Sequence, residues 1–390
     1  MASYISSNAN RFYAALEESF GRVGAITAAN RIPAVKLAIS QQLEAAERRD
    51  KTGTRTYAGV PPGGRRRTSF ELQTYLTTWQ KEAGEPGYGP LVRAALGGEA
   101  LAFAGGAVAS STAEGRLTLR SAHGLEAGQA VACGGEIRFA AAIVNETTVQ
   151  LNAPFTALPG DGAVALATVT YAPATALPSV SVFDYWSPDT AVQRLLCGGA
   201  VDQMEILVNG DYHELRFSGL AQDVVDSSSF SGEVGELPSF PAEPALGAFD
   251  YSIVPGHMGQ AWLGVAPTQF FTITSATLTV NNAVDLRARE FGSNLPKAIW
   301  PGQRAVTAAF ELFSQDDGAT QGLYQAARQQ SPIGVMFQLG ETEGQLMGVY
   351  LKSVIPEVPE FDDGENRLQW RFRASRAQGT VDDEVVVGFA

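Results

Sequence analysis

One arrangement of segments occurs twice in this 390-residue sequence, once towards each end. Each copy has an alternating strand-like segment, a polar loop with arginines and a Pro-Gly pair, a Phe-Glu-Leu segment and a short alanine-rich helical segment. The Phe-Glu-Leu segments are Phe70-Glu71-Leu72 and Phe310-Glu311-Leu312. The repetition predicts an internal duplication, and the chain is long enough for two or three domains.

Strand-like alternation dominates both copies. Apolar side chains occupy every second position in residues 35–39 and, most regularly, in residues 368–374, as in strands with one buried face. Short helices are predicted at 91–96, closed by a Gly-Gly pair, and at 323–328. We therefore predict a mainly β fold, in which β-sandwich or barrel domains carry short flanking helices.

The segment between the two copies differs in composition. It is rich in Ala, Gly, Val and Thr, and its short alternating runs are separated by glycine turns, which is typical of a small all-β module. The predicted organisation is an N-terminal arm at 1–30, the first part of the first repeated domain at 31–104, a small β insert at 105–170, return strands and a linker at 171–200, and the second repeated domain at 201–390.

Composition and charge exclude several classes of protein. The formal net charge of −13 opposes tight nucleic-acid binding, which needs a basic footprint. No long apolar run predicts a membrane span, and the N-terminus lacks the pattern of a secretory signal, so we expect the chain to fold in the cytoplasm of the cell that makes it. The two cysteines, Cys133 and Cys197, are outside any C-x-x-C pair and are interpreted as small buried side chains.

Motifs that carry chemistry are missing from the sequence. The three histidines form no metal-ligand pattern, and His213 is interpreted as a half-exposed strand residue. No nucleophile elbow, phosphate loop or dinucleotide fingerprint occurs. The acidic stretch 362–366 lacks the spacing of a calcium loop and is interpreted as a solvated turn. We therefore expect no catalytic, cofactor-binding or metal-binding residues and no enzymatic activity.

Basic side chains are concentrated in and around the two polar loops. They suggest arms that reach an acidic surface on a neighbouring subunit; the alternatives are solvated loops that protect an edge strand and, against the net charge, nucleic-acid binding. The candidate arm residues are Arg48, Arg49, Asp50, Lys51, Arg55, Arg65, Arg66, Arg67, Arg287 and Arg289. At the N-terminus, Phe12 and Tyr13 lie in a stretch interpreted as a short helix or an arm, and we expect both side chains to dock on a surface.

Several of these segments resemble the major tail tube proteins of long-tailed, siphovirus-type bacteriophages. The similar stretches are Ser6–Tyr13, Asn30–Leu37, Arg49–Arg55, Arg289–Gly292 and Pro301–Arg304, together with the Phe-Glu-Leu segment. The resemblance covers most of the chain outside the insert.

The resemblance implies a structural protein of the virion tail, made in the cytoplasm of the bacterial host. Tube domains in that family form rings, usually of six domains, whose inner strands close into a continuous barrel, and arms bridge stacked rings. With two domains per chain, we expect a homotrimeric ring with pseudo-sixfold symmetry. The implied partners are further copies of the chain, the tape measure protein, and the tail terminator and baseplate proteins, while DNA passes through without specific binding. Neither a cofactor nor a membrane is implied.

Two other functions remain open from the sequence. The first is a baseplate, decoration or adhesin-type protein that binds a host surface glycan or protein, and the second is a β-rich hydrolase. For a tube protein, deleting residues 42–57 should block polymerisation. Deleting residues 107–167 should leave assembly intact, because an outward insert would contribute little to the ring.

Overall fold

The computed structural model describes residues 4–44, 50–57, 59, 64–79, 85–232, 234–247, 252–364 and 366–390. In that part of the chain the fold is mainly β, which confirms the predicted class. The helices are α1 (Gly89–Leu96) and α2 (Gly318–Gln329), with 3-10 turns at Ala28–Asn30 and Val234–Glu236. No helix within the described residues is long and apolar enough to cross a membrane.

The strands, in chain order, are β1 (Asn10–Leu16), β2 (Arg31–Ile32), β3 (Ala34–Glu44), β4 (Arg65–Tyr75), β5 (Leu101–Phe103), β6 (Gly106–Ser111), β7 (Arg116–Leu119), β8 (Ala130–Cys133), β9 (Glu136–Ile143), β10 (Thr148–Leu151), β11 (Val164–Ala165), β12 (Thr168–Tyr171), β13 (Val180–Trp186), β14 (Arg194–Val208), β15 (Glu214–Ala221), β16 (Asp223–Asp226), β17 (Gly259–Gly264), β18 (Thr268–Gln269), β19 (Ile273–Asn281), β20 (Asp285–Leu286), β21 (Ile299–Trp300), β22 (Ala305–Phe313), β23 (Ile333–Leu339), β24 (Met347–Ile355), β25 (Glu360–Asp362), β26 (Gln369–Ala377) and β27 (Val386–Phe389).

Strand pairing divides the chain into two halves with the same connections. In the first half the antiparallel pairs are β1 with β2, β1 with β13, β13 with β14, β14 with β16, β14 with β15, β15 with β4, and β4 with β3. In the second half they are β17 with β18, β17 with β23, β23 with β24, β24 with β27, β24 with β26, β26 with β22, and β22 with β19. In both halves the helix follows the Phe-Glu-Leu strand, β4 or β22.

This grouping differs from the domain limits expected from the sequence. Strands β15 and β16, which extend to Asp226, pair with strands of the first half, whereas the predicted boundary was residue 200. Strand β12, at the end of the predicted insert, pairs with β5 and with β27 of the second half. Strand β1, in the stretch interpreted as a helix or an arm, belongs to the sheet of the first half. The sequence conceals this strand because four successive residues, Phe12 to Ala15, are buried, so apolar and polar positions do not alternate.

Eight strands form one continuous sheet, which we call the inner sheet. Their order is β3-β4-β15-β14-β19-β22-β26-β25. One face of the inner sheet is apolar and packs with α1, α2 and the remaining strands of each half into the main core, where Phe217 and Phe310 are at most 1% exposed. The opposite face is polar, as expected for an antiparallel sheet with one side on the core.

The insert, strands β6 to β11, forms a separate sheet in the order β11-β6-β7-β10-β9-β8. A bridge between Ala132 and Leu166 connects its last strand back to the residue that follows β11, so the strands curl into a small barrel. Its own core contains Val108, Leu117, Val149 and other apolar side chains. The insert therefore buries an apolar interior independently of the inner sheet.

The insert also packs against the second half. Phe139 stacks on Tyr350, with ring centroids 5.6 Å apart. The strands beneath are glycine-lined at the contact: a Cβ at Gly348 would lie 2.9 Å from ring carbons of Phe139, and one at Gly388 would lie 2.5 Å from Cβ of Ala130. Deleting residues 107–167 would therefore uncover this face of the second half, while the effect of the deletion on assembly stays a prediction.

A polar cluster is buried at the same contact. The guanidinium of Arg138 is 0% exposed and forms an ion pair with Glu136. It donates to the side-chain oxygens of Gln260, at 2.9 Å, and Gln338, at 3.1 Å, both on the second half. It also lies over the ring of Trp262, 4.9 Å from the centroid. Burial lowers the pKa of Arg138 to about 10, although the charge of Glu136 opposes that shift.

The first half has a different cover on the corresponding outer face, which we call the strap: residues 227–232 and 234–247. Phe230, Leu237 and Phe240 of the strap pack on the apolar cluster of β1, β13 and β14. Glu243 fixes its far end, because its carboxylate accepts hydrogen bonds from Arg11, at 2.6 Å, and from the Tyr13 hydroxyl, at 2.9 Å.

The Glu243 contact makes a pH-dependent contribution to stability. Partial burial would raise the pKa of Glu243, but the hydrogen bonds from Arg11 and Tyr13 and the nearby positive charges outweigh burial and lower that pKa. A depressed folded-state pKa stabilises the fold above the unfolded pKa of about 4.3, and the contribution disappears as the pH falls through the folded value.

We expect Glu243→Gln to lower the free energy of unfolding by about 1–2 kcal/mol at pH 7, because hydrogen bonds to a charged group are lost. The difference from the parent chain should shrink as the pH falls below about 4. Urea denaturation of both chains at pH 7 and pH 3.5 measures it, with Glu18→Gln, whose side chain is 81% exposed, as the control. An equal difference at both pH values would contradict the assignment.

Two local expectations have different outcomes. His213 is 2% exposed, so its interpretation as a half-exposed residue is wrong. Its ring nitrogens contact the backbone nitrogen of Asn209 and the carbonyl of Met258, and burial lowers its pKa. Cys133 and Cys197 are free and buried, as predicted.

Candidate assembly interface

The two halves meet through a strand pair, β14 with β19. Six consecutive residue pairs connect them, from Gln203 with Asn281 to Val208 with Ala276. The core-facing side chains at this junction are sealed: Met204 is 1% exposed and its partner Val280 is 3% exposed. The junction thus extends one sheet from the first half to the second without an unpaired edge between them.

The residues after β19 secure the junction. The side-chain amide of Asn282, which is 2% exposed, donates to the carbonyls of Ala95, at the end of α1, and Val201. The backbone nitrogens of Asn282 and Val284 donate to the backbone and the carboxylate of Asp202, respectively. The polar loop of the second half is therefore docked on the first half of its own chain.

The outer ends of the inner sheet are open. Within the described residues, β3 pairs with β4 alone and β25 pairs with β26 alone. Each edge exposes a large apolar side chain, since Leu43 on β3 is 67% exposed and Phe361 on β25 is 57% exposed. Unpaired strand edges of this kind are templates for pairing with another chain.

Phe361 is held in place by neighbouring rings. It stacks on Trp370, with centroids 5.3 Å apart, and Tyr324 of α2 lies 5.9 Å from it. These rings, with Asp316 and Gln321, line a groove of about 560 Å³ beside the edge. The edge at β25 therefore combines unpaired backbone with an ordered apolar side chain.

The polar face of the inner sheet carries charges of both signs. Some are paired locally: Arg216 with Glu214, at 3.0 Å, and Arg371 with Glu311, at 3.4 Å. By strand alternation the charged side chains of this face are Lys36, Glu44, Arg65, Arg67, Glu71, Glu205, Glu214, Arg216, Glu311, Glu360, Asp362, Arg371 and Arg373. The acidic excess of the whole chain is thus not concentrated on this face.

The predicted arm residues fall into three groups. Arg48 and Arg49 lie outside the described residues. Asp50, Lys51 and Arg55 are exposed. The remaining five converge, although they come from separate polar loops, and line one groove of about 460 Å³, which we call the arginine groove: Arg65, Arg66, Arg67, Arg287 and Arg289.

Several arginines of the arginine groove have acidic partners in their own chain. Arg66 pairs with Asp223 at 2.7 Å, Arg289 lies 3.7 Å from Glu44, and Arg287 pairs with Glu290. The backbone nitrogen of Arg66 also donates to the carbonyl of Asn294, in the second polar loop. The structure thus joins the bases of the two loops, and contact of these arginines with a neighbouring subunit stays a prediction.

Phe12 and Tyr13 lie inside the first half. Both are buried in β1, at 5% and 1% exposure. Tyr13 packs edge-on against Tyr185, with centroids 5.8 Å apart. Their docking surface within the described residues is therefore the sheet and the strap of the same chain.

Sequence reasoning missed the two apolar edge residues. Leu43 lies among polar residues in the segment 41–44, and Phe361 precedes the acidic stretch interpreted as a turn, although Asp362 is still in β25. An isolated apolar residue in a polar segment is too weak a signal to indicate an edge strand. Alignment of the two repeats on their Phe-Glu-Leu segments would have given a stronger signal, because each edge strand then corresponds to a strand at the internal junction.

Comparisons with known proteins give partial structural likenesses among solved structures. No family model and no curated protein matches the chain. Among solved structures, the chain is similar to the tail tube of SPP1, determined by solid-state NMR and electron cryomicroscopy, with a TM-score of 0.27 and 13% sequence identity. That alignment covers 33% of this chain and 81% of the SPP1 chain.

Proposed function

We propose that this chain is a structural subunit, without enzymatic activity, that polymerises into stacked rings and forms the tail tube of a long-tailed bacteriophage. One observation carries the proposal: two halves with the same strand connections are joined through β14 and β19, and no other described strand pairs with the two ends of the joined sheet. Open edges equivalent to a junction already formed favour repetition of that junction between chains.

Repetition of one head-to-tail junction between identical chains closes a ring when the rotations at successive junctions add up to a full turn. If successive halves are related by a sixth of a turn, three chains complete it, and four inner strands from each half give a barrel of twenty-four strands. At about 4.8 Å between strands, its circumference is about 115 Å or more. Barrels of about sixteen strands already enclose a water-filled channel.

The polar face of the inner sheet would line this channel. Its acidic and basic side chains are interspersed, and several are paired with each other. Such a face lacks the one-signed basic footprint that tight nucleic-acid binding requires. A channel with this mixed lining would let DNA pass without binding it specifically. The lining does not have to be entirely acidic for that.

The remaining parts of the proposal follow from the resemblance stated above. Partners would be further copies of the chain along the tube, the tape measure protein inside it, and the terminator and baseplate proteins at its ends. The protein would be made in the cytoplasm of the bacterial host and would reside in the virion tail. The duplication of a tube domain belongs to the same proposal and is supported by the matching strand connections of the two halves.

Electron microscopy of the purified chain tests this function. We expect rings with threefold symmetry and six similar inner lobes, alone or stacked into tubes. The expected result has a physical reason, because ring closure pairs the edges of β3 and β25, which are open in the single chain. Sedimentation that shows only monomers up to about 100 µM, with no ring in the images, would contradict the proposal.

The groove beside Phe361 favours a second candidate function. Clustered aromatic rings with carboxylate and amide groups, here Tyr324, Trp370, Asp316 and Gln321, are a combination that binds small polar ligands with an apolar face. A baseplate or adhesin-type protein could bind a host glycan there. A persistent monomer that binds immobilised bacterial surface glycans, and loses that binding in Trp370→Ala, would support this alternative.

A further inference from the structure

The internal junction provides a template for the contact between chains. The two Phe-Glu-Leu segments define equivalent positions in the two halves. They lie on β4 and β22, and these two strands occupy the same place in the two matching sets of strand pairs. Leu43 and Val280 pair with the residues four positions before the Phe of their own segment, Arg66 and Val306 respectively. Leu43 on the open edge therefore takes the place that Val280 takes at the junction.

The same comparison identifies the counterpart of Phe361. Phe361 pairs with Trp370, which in turn pairs with the Leu of the second Phe-Glu-Leu segment. Met204 pairs with Phe217, which pairs with the Leu of the first segment. Phe361 therefore takes the place of Met204.

We propose that β25 of one chain pairs antiparallel with β3 of a second copy, with Phe361 directly opposite Leu43. The register follows from the pairing of Met204 with Val280 at the internal junction. This inference rests on the proposed function and specifies which strands, residues and register form the contact. The partner is thus another copy of this chain.

Burial supports this register. The template pair Met204 and Val280 is at most 3% exposed, whereas Phe361 and Leu43 are 57% and 67% exposed in the single chain. Pairing them would remove both apolar side chains from water at once. If the pairing of β25 with β3 shifted by one residue, Phe361 would lie opposite a residue whose side chain is on the polar face.

The polar neighbours fit the same register. Asp362 would lie opposite Gln42, and Glu360 would lie opposite Glu44. Both glutamates already have a basic neighbour: Arg373 lies 2.7 Å from Glu360, and Arg289 lies 3.7 Å from Glu44. These arginines offset the repulsion that two carboxylates directly opposite each other would cause.

Paired cysteines test the register. In a chain carrying Leu43→Cys and Phe361→Cys, directly opposite Cβ atoms would lie within reach of a disulfide. Mild oxidation of assembled protein should convert most chains into a closed species of three chains on a non-reducing gel, reversible with thiol. The two native cysteines are buried and free, so the parent chain serves as the background.

The matched control combines Phe361→Cys with Ser40→Cys. Ser40 lies on β3, three residues before Leu43, and its side chain faces the opposite side of the sheet. We expect at least tenfold less covalent trimer from this control. Each single-cysteine chain should give no three-chain species.

The two proposals fail differently. Rings in the microscope with equal cross-linking of both cysteine pairs, or with none from the Leu43 and Phe361 pair, would overturn this register and leave the tube function in place. A disulfide formed within single chains would also overturn it. Absence of both rings and cross-links in all chains would contradict the proposed function and the register with it.

Discussion

Arg138→Met is expected to lower the free energy of unfolding by about 3–5 kcal/mol, because it leaves the carboxylate of Glu136 buried without its charged partner. Methionine keeps much of the side-chain volume, so the loss reports the charge and its hydrogen bonds rather than a cavity. The guanidinium also connects the insert to the side-chain oxygens of Gln260 and Gln338 on the second half. Each oxygen would lose one of its two donors and keep the other, which is the indole nitrogen of Trp262 or the backbone nitrogen of Ile137, respectively.

Chemical denaturation followed by tryptophan fluorescence measures this effect, since Trp262 lies directly under the guanidinium. Arg120→Met is the matched control: Arg120 is also in the insert and pairs with Asp161, but both side chains are more than half exposed. Exposed pairs contribute about 1 kcal/mol or less. Equal losses for the two variants would show that the buried cluster is not what holds the insert to the second half.

A second variant separates the charge from the packing. The carboxylate of Glu136 also accepts hydrogen bonds from the backbone nitrogen of Thr156, and an amide oxygen at this position can accept them as well. Removing its charge with Glu136→Gln in the Arg138→Met chain should therefore recover about 1–2 kcal/mol. No recovery would indicate that the lost contacts to Gln260 and Gln338 dominate.

The sequence predicts those parts of the fold in which one strand face is buried and the other is wet. Strand β26 is the clearest case, because Trp370 and Phe372 face the core while Arg371 and Arg373 face outward. The predicted helices also form where expected, although α2 begins at Gly318, ahead of the apolar residues that suggested it. In these elements local pattern and tertiary environment agree.

The remaining features depend on tertiary contacts that no local pattern records. Strand β1 is covered on both faces, so its apolar run does not alternate. His213 is buried because Met258, distant in sequence, supplies a carbonyl to its ring. The arginines of the two polar loops meet because the second loop folds back onto the first half, with its Asn294 bound to Arg66.

The candidate interface was only half accessible to sequence reasoning. The repeat indicated two equivalent units, and the resemblance to tail tube proteins implied that copies of the chain assemble; both points could be expected from the sequence. Which edges stay open could not, because that depends on β14 having paired with β19 inside the chain. Equivalent strands are thus buried at the internal junction and exposed at the ends of the inner sheet. The chemistry of their side chains alone does not distinguish the two situations.

The same substitution at the two equivalent places should therefore destabilise the single chain to very different degrees. Met204→Glu is expected to lower the free energy of unfolding by about 4 kcal/mol or more, because it buries a charge at a position only 1% exposed. Phe361→Glu should lower it by only about 1 kcal/mol, the contribution of the ring contacts with Trp370 and Tyr324. Urea denaturation of the two dissociated chains gives both numbers.

Assembly should rank the variants in a way that stability does not. Phe361→Glu should abolish ring formation in sedimentation velocity experiments even though the chain stays folded, because each junction would place a charge against Leu43 of the next copy. Phe271→Glu, at a side chain 85% exposed and away from both edges, is the control and should assemble like the parent. If Phe361→Glu assembles at the same protein concentration as Phe271→Glu, the open edge at β25 is not an assembly contact, and the polymer, if there is one, is built through another surface.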